Sequence, residues 1–258
     1  MNQWITLFNK EMLEMSRNFK WIWVPIVFIL IAIQEPLTLY YLPQIIESFG
    51  GLPEGAVIEM PVPAASEVLV AILGQFNTLG ILVIVLGSMG LIAAERKSGV
   101  AGLILVKPIS YTSYVTSKWA GAMVLLWVSY FIGYIASWYY VVILFEMVPF
   151  ADFFQSFILN GLWLSFVLTI SIFFNSIFKS PGAVGFISIA VVIILSLISS
   201  TFSQWLKWSP SLMSSYTSLF LMNKQLPTET FPAVIVSLAA ILILLVGSIS
   251  ILRKRELV

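Results

Sequence analysis

Few side chains in this sequence can do chemistry, and they are of a narrow kind. The chain has no His and no Cys. That removes an imidazole base, a thiolate nucleophile, His or thiol metal ligands and any disulfide. Carboxylates, amides and hydroxyls remain. Glu35 stands inside an apolar run, flanked by Gln34 and Pro36. It lies ~21 Å along a helix that begins near Trp21, at 1.5 Å per residue. Carboxylates at such a depth usually face a bundle interior or a wet cavity. Two readings of Glu35 are open. It lines the outer mouth of a translocation path, or Pro36 kinks the helix and Glu35 sits at a hydrated edge marked by Tyr40 and Tyr41. Gln75, Asn77 and Thr78 on the next apolar run are the polar groups that can hydrogen-bond with it. No carboxylates cluster inside the runs, so there is no acid–base or metal constellation for an enzyme.

The second place of interest is the stretch from Ala94 to Lys118. Glu95-Arg96-Lys97 opens it, Leu103-Ile104-Leu105-Val106 fills its middle, and Lys107-Pro108-Ile109-Ser110 follows. Pro108 stops a helix after about a dozen residues. A short helix with an apolar surface buries that surface against something. The chain has no soluble domain to offer, so the stretch meets a separate partner or lies flat on lipid.

Both places must be held by something, and the composition says what. Hydrophobic residues make up 60% of the 258 residues and charged residues 10%. So few charges cannot cover a soluble globule. The sequence is that of a polytopic, all-α membrane protein. Six apolar stretches each have the ~20 residues needed to cross a ~30 Å hydrocarbon core. They run over 21–42, 68–93, 119–145, 153–178, 182–202 and 232–252 of a single transmembrane domain covering 1–258. Residues 1–20 read as an amphipathic helix in the membrane interface. Trp4, Ile5, Phe8, Met12, Met15 and Phe19 form one stripe, and Lys10, Glu11, Glu14, Arg17 and Lys20 lie off it. The same pattern also suits a soluble helix packed on a partner. No signal-peptide cleavage site follows, so the segment is expected to be retained. Residues 203–231, rich in Trp, Tyr and Phe, suit the headgroup level or short re-entrant helices.

Charge sets the expected orientation. With a cytoplasmic N-terminus, Lys10, Arg17, Lys20, Arg96, Lys97, Lys107, Lys118, Lys179, Arg253, Lys254 and Arg255 all fall inside. Only Lys207 and Lys224 of the 13 basic residues fall outside. This is the positive-inside pattern, and it predicts that both termini lie on the cytoplasmic side of a cell membrane, expected to be bacterial.

The arrangement resembles a known family. Six spans, the N-terminal amphipathic helix, and Glu95, Gly99, Leu103, Pro108, Ile109, Ser110 and Lys118 after the second span look like ABC-2-type permeases. These are the membrane subunits of ATP-binding-cassette exporters, similar to the six-span permeases of Firmicute and nitrous-oxide-maturation systems. The basic-acidic tail Arg253-Lys254-Arg255-Glu256-Leu257 matches as well. Ser98 departs from the pattern, where an acidic residue is common, and so does Val100, where Thr is common.

The resemblance implies that 94–118 is a cytoplasmic coupling helix. Glu95, Gly99, Leu103, Ile104, Pro108 and Ser110 would then be the residues that meet a separate ATPase. It implies a second permease copy, identical or paralogous, with Glu35, Gln34, Gln75 and Asn77 beside the path between the two. No Gly-x-x-x-x-Gly-Lys-Ser/Thr string occurs, so ATP and Mg belong to the partner and this chain binds no cofactor. Membrane lipid is the other expected partner, and nucleic acid is not one. Two alternatives remain. One is a membrane regulatory or immunity protein that binds a partner without transporting. The other, a secondary transporter, lacks the expected midplane carboxylates and inverted repeat.

Overall fold

The computed structural model describes residues 3–48, 62–105 and 109–255. Every regular element among them is a helix, and six helical stretches are long and apolar enough to cross a membrane. The chain is an all-α polytopic membrane protein. The Pro- and Gly-rich stretch from Gly50 to Pro61, Val106 to Pro108 and the Glu256-Leu257 tail lie outside the described residues.

The N-terminal helix α1 (Gln3–Arg17) ends at a sharp turn in which Phe19 takes the left-handed conformation, φ 55°. The first span, α2 (Lys20–Ser48), follows and runs through Pro25, Pro36 and Pro43. The second span is not one helix. It consists of α3 (Ala65–Gln75), a π-helical turn (Phe76–Gly80) and α4 (Ile81–Ser88), then breaks over Met89–Ile92 before α5 (Ala93–Lys97). A second short helix, α6 (Val100–Leu105), completes the described part of the connection. The remaining spans are α7 (Tyr111–Leu144), α8 (Phe150–Ile177), α9 (Pro181–Thr201) and, after the short α10 (Met213–Asn223), α11 (Thr230–Arg255). Six crossings leave both termini at one end of the bundle, called here the terminal end.

The core forms around α8, which packs against α4, α7, α9, α10 and α11. Its apolar window is 72% buried, against 22% for α11, so α8 is central and α11 peripheral. The outward faces of α9 and α11 carry Phe186, Leu197, Leu242 and Ile243, as the lipid-facing side of a bundle should. The α2 and α7 backbones approach closely. A Cβ on Gly133 would stand 2.8 Å from the Phe28 carbonyl oxygen, so only glycine lets the two backbones meet there. An aromatic cluster of Phe28, Phe76, Tyr130, Tyr134, Phe153 and Phe157 fills the space beside that crossing.

Two sequence expectations are altered and a third gains detail. First, the stretch after the second span is two short helices rather than one. Gly99, at φ 80°, turns the chain between them, a conformation only glycine adopts without strain. Second, the third span starts at Tyr111, two turns before the apolar run does. Ser110 caps it, its Oγ accepting from Ser113 N at 3.1 Å. Third, the N-terminal helix packs on this chain's own α7, and it does so through a face that includes Glu11. Trp4 Nε1 donates to Thr116 Oγ1 at 3.0 Å, and Met15 abuts Gly121. The aromatic stretch after the fifth span folds back as a 3-10 turn and α10, which buries Met213, Thr217, Phe220 and Leu221 against the bundle.

Candidate functional site

Three elements bring polar and charged groups to one point at the terminal end. Glu11 comes from α1, Glu95 from α5, and Tyr114 and Lys118 from successive turns of α7. A spacing of four places the last two on one helical face. Lys118 Nζ lies 2.8 Å from Glu11 Oε1 and 2.9 Å from Glu95 Oε1. Tyr114 donates its hydroxyl to Glu95 Oε2 at 2.6 Å. Lys118 is 1% exposed, Glu11 3% and Glu95 8%, so these charges lie out of water and persist only because they are mutually paired. Lys10 closes the group at its half-exposed edge, within 3.0 Å of the carboxylates of Glu11, Glu14 and Glu95. Burial works to lower the Lys10 ammonium, but hydrogen bonds to Glu14 and Glu95 outweigh it and hold the group above its ordinary range.

Oxygens of Glu11, Glu14 and Glu95 approach within 4.8 Å of one another, a spacing that suits a cation. The Lys10 ammonium already bridges those same three carboxylates, so the positive charge comes from the chain itself. The arrangement is an ionic joint. It ties the α5–α6 connection to α1 and α7.

A second joint holds the break in the second span. Asn175 of α8 is fully buried. Its Oδ1 accepts from Ile92 N at 3.1 Å and Ala93 N at 3.0 Å. Its Nδ2 donates to Ser88 O at 3.1 Å and Ser171 O at 2.9 Å. Arg96 adds a bond from Nη1 to Ser176 O at 2.9 Å, and Lys20 donates to Gly87 O at 2.8 Å.

At the other end the sequence-derived residues separate. Gln75 Nε2 donates to Glu35 Oε2 at 3.1 Å, so these two meet. Gln34 is exposed and does not join them. Asn77 is carried elsewhere by the π-helical turn and donates to Ser214 of α10 at 2.5 Å. Its Oδ1 is buried and has no partner among the described residues. Asn77 and Thr78 lie on a groove of about 370 Å³ between the second span and α9, walled by Ile81, Leu82, Ile189 and Ile193 and edged by Ser196. The groove adjoins a second space of about 310 Å³, lined by Trp163 and by Ser200, Ser211, Ser214 and Ser215. Its lining is hydroxyl, amide and hydrocarbon, with no charged side chain.

The coupling-segment residues also divide. Glu95 points into the ionic joint, so its carboxylate is unavailable to a docking partner. Gly99 makes the turn, and Ser110 caps α7. Ile104 is half-buried against the core, and Leu103 stands 73% exposed. Pro108 lies outside the described residues. Lys10, Glu11, Tyr114 and Asn175 were not singled out from sequence. One signal was present for Glu11: at 100° per residue it falls about 20° from Trp4, at the margin of the apolar stripe.

No family model matches the chain. A relative does, over nearly the whole length of both proteins. The chain is 34% identical over 252 residues, 98% of each chain, to the uncharacterized transmembrane protein YxlG of Bacillus subtilis (strain 168). The chain belongs to the YxlG family. That coverage takes in the six candidate spans of this YxlG-family chain.

Proposed function

We propose that this chain is the permease subunit of an ATP-binding-cassette transporter, working as an exporter. The observation that carries the reading is the α5–α6 connection. It presents Leu103 to solvent while Glu95, on the same connection, is anchored by buried charge pairs to α1 and α7. A force applied at Leu103 therefore reaches the spans through fixed contacts rather than a slack loop. In this reading the terminal end is cytoplasmic. A separate ATPase binds ATP and Mg and docks on Val100 and Leu103, and this chain hydrolyses nothing itself. Two permease copies enclose the path. The uncharged groove around Asn77 and Ser196 suits an amphiphilic substrate, with Glu35 and Gln75 nearer the outer mouth.

The test is co-purification with any P-loop ATPase found encoded beside the gene, with Leu103→Asp as the comparison. Stable association that Leu103→Asp weakens at least tenfold supports the reading. Absence of such an ATPase, or association indifferent to Leu103→Asp, removes it and leaves a membrane regulatory protein as the stronger account.

A further inference from the structure

The break at Met89–Ile92 is made by a neighbour. An uninterrupted helix would pair Ile92 N with Ser88 O and Ala93 N with Met89 O. Here both N–H groups go to the side-chain oxygen of Asn175, and Ser88 O accepts from its amide nitrogen. An amide has two N–H donors and a carbonyl with two lone pairs, and Asn175 uses all four. Ile92 offers no side-chain cap for α5. Asn175 does what an N-cap residue does, from another helix.

Two settings of the second span therefore leave its backbone satisfied. In the bent setting, the one seen here, Asn175 supplies the partners. In a straight setting the span supplies its own, and Asn175 loses the partners it has at Ser88, Ile92 and Ala93. Gly90 sits in the break, where a Cβ would meet nothing closer than 3.6 Å, so Gly90→Ala fits the bent setting without a clash.

We infer that Met89–Ile92 is a pivot with two settings, and that Asn175 is the positioning residue that holds the bent one. The pivot lies between α4 in the core and α5, which carries the ionic joint. Straightening would swing α5 and α6 relative to the bundle. The assignment of that swing to coupling rests on the transport reading; the existence of the pivot does not.

The chain's lack of cysteine permits a direct measurement. Spin labels are placed on Leu103→Cys in α6 and Ser180→Cys at the α8–α9 turn, both exposed. Distances are read in lipid nanodiscs with no ATPase present. The parent should give one dominant distance. Asn175→Leu should raise a second, discrete distance at least tenfold in population. Asn175→Asp keeps the two accepting contacts but turns an oxygen toward Ser88 O and Ser171 O, so its second-distance population should fall between those of the parent and Asn175→Leu. Gly90→Ala favours the straight helix through propensity alone and should raise the same second distance by about threefold to fivefold. Gly90→Ala decides the matter if Asn175→Leu fails to fold. A parental distribution in both variants, or broadening without a second peak, overturns the pivot. Adding the co-purified ATPase separates the two ideas. A second distance that appears without any change in ATP hydrolysis keeps the pivot and defeats the coupling role. Unchanged distances defeat the pivot whatever the ATPase does.

Discussion

Glu95 and Glu35 are both carboxylates within or beside the same bundle, and the protein treats them oppositely. Glu95 is buried among two lysine ammonium groups and a tyrosine hydroxyl. Glu35 is half-buried and receives a 3.1 Å hydrogen bond from the Gln75 amide. The terminal end is thus built from charges that satisfy one another. The groove in the opposite half is lined instead by amides, hydroxyls and hydrocarbon, and one amide oxygen there, Asn77 Oδ1, has no partner among the described residues. Buried ion pairs resist rearrangement, because separating them strands a charge out of water. Neutral polar groups can exchange partners at far lower cost. The first region is suited to holding a connection rigid, and the second to accepting different contacts.

The largest effect should come from breaking the ionic joint. Lys118→Met leaves Glu11 without its buried partner and should cost ~3–5 kcal/mol, read as a lowered unfolding temperature in detergent. Adding Glu11→Gln to Lys118→Met should recover part of that loss; a simply additive result would show that the pairing is not the cause. Next is Tyr114→Phe, which removes one buried bond to a carboxylate and should cost about 1.5–3 kcal/mol. Glu35→Gln should change stability by less than about 1 kcal/mol, since the site is half-exposed and its partner is neutral. A loss as large as that of Lys118→Met would erase the contrast between the two ends. Leu103→Asp, on an exposed position, should stay within about 0.5 kcal/mol of the parent, so any loss of partner binding would report the surface.

The smallest effect concerns the exposed Lys207–Glu229 pair, 3.0 Å apart at the opposite end. The Lys207 hydrogen bond holds the Glu229 carboxyl below its ordinary 4.5. A lowered folded value means that the pairing is fully present above 4.5 and fades as pH falls through the lowered value. A carboxyl titration followed by infrared difference spectroscopy should place Glu229 there. Its removal in Glu229→Gln should leave the unfolding temperature near neutral pH almost unchanged, unlike any change in the buried joint.

Much of this protein was open to reading along the chain. Hydropathy is a local sum, so the six spans follow from runs such as Ile81–Leu86 and Val191–Leu197 without knowledge of neighbours. The special role of the stretch after the second span was legible too, because Leu103 and Ile104 are out of place between charges. The details of that stretch were not. Gly99 reads as an ordinary glycine until its φ of 80° is seen, and Glu95 reads as a surface acid until Lys118 is found beside it.

What the sequence determined alone is therefore the all-helical class, the number of crossings, and the fact that basic residues gather at one end. These depend on composition within a window, and the bilayer's thickness supplies the ruler. What only the tertiary structure decided is which polar groups satisfy which. Glu11 and Lys118 lie 107 positions apart, and Asn175 and Ile92 lie 83 apart. Burial makes such groups demand a partner, but it does not say which one; that is set by how α1, α5, α7 and α8 pack.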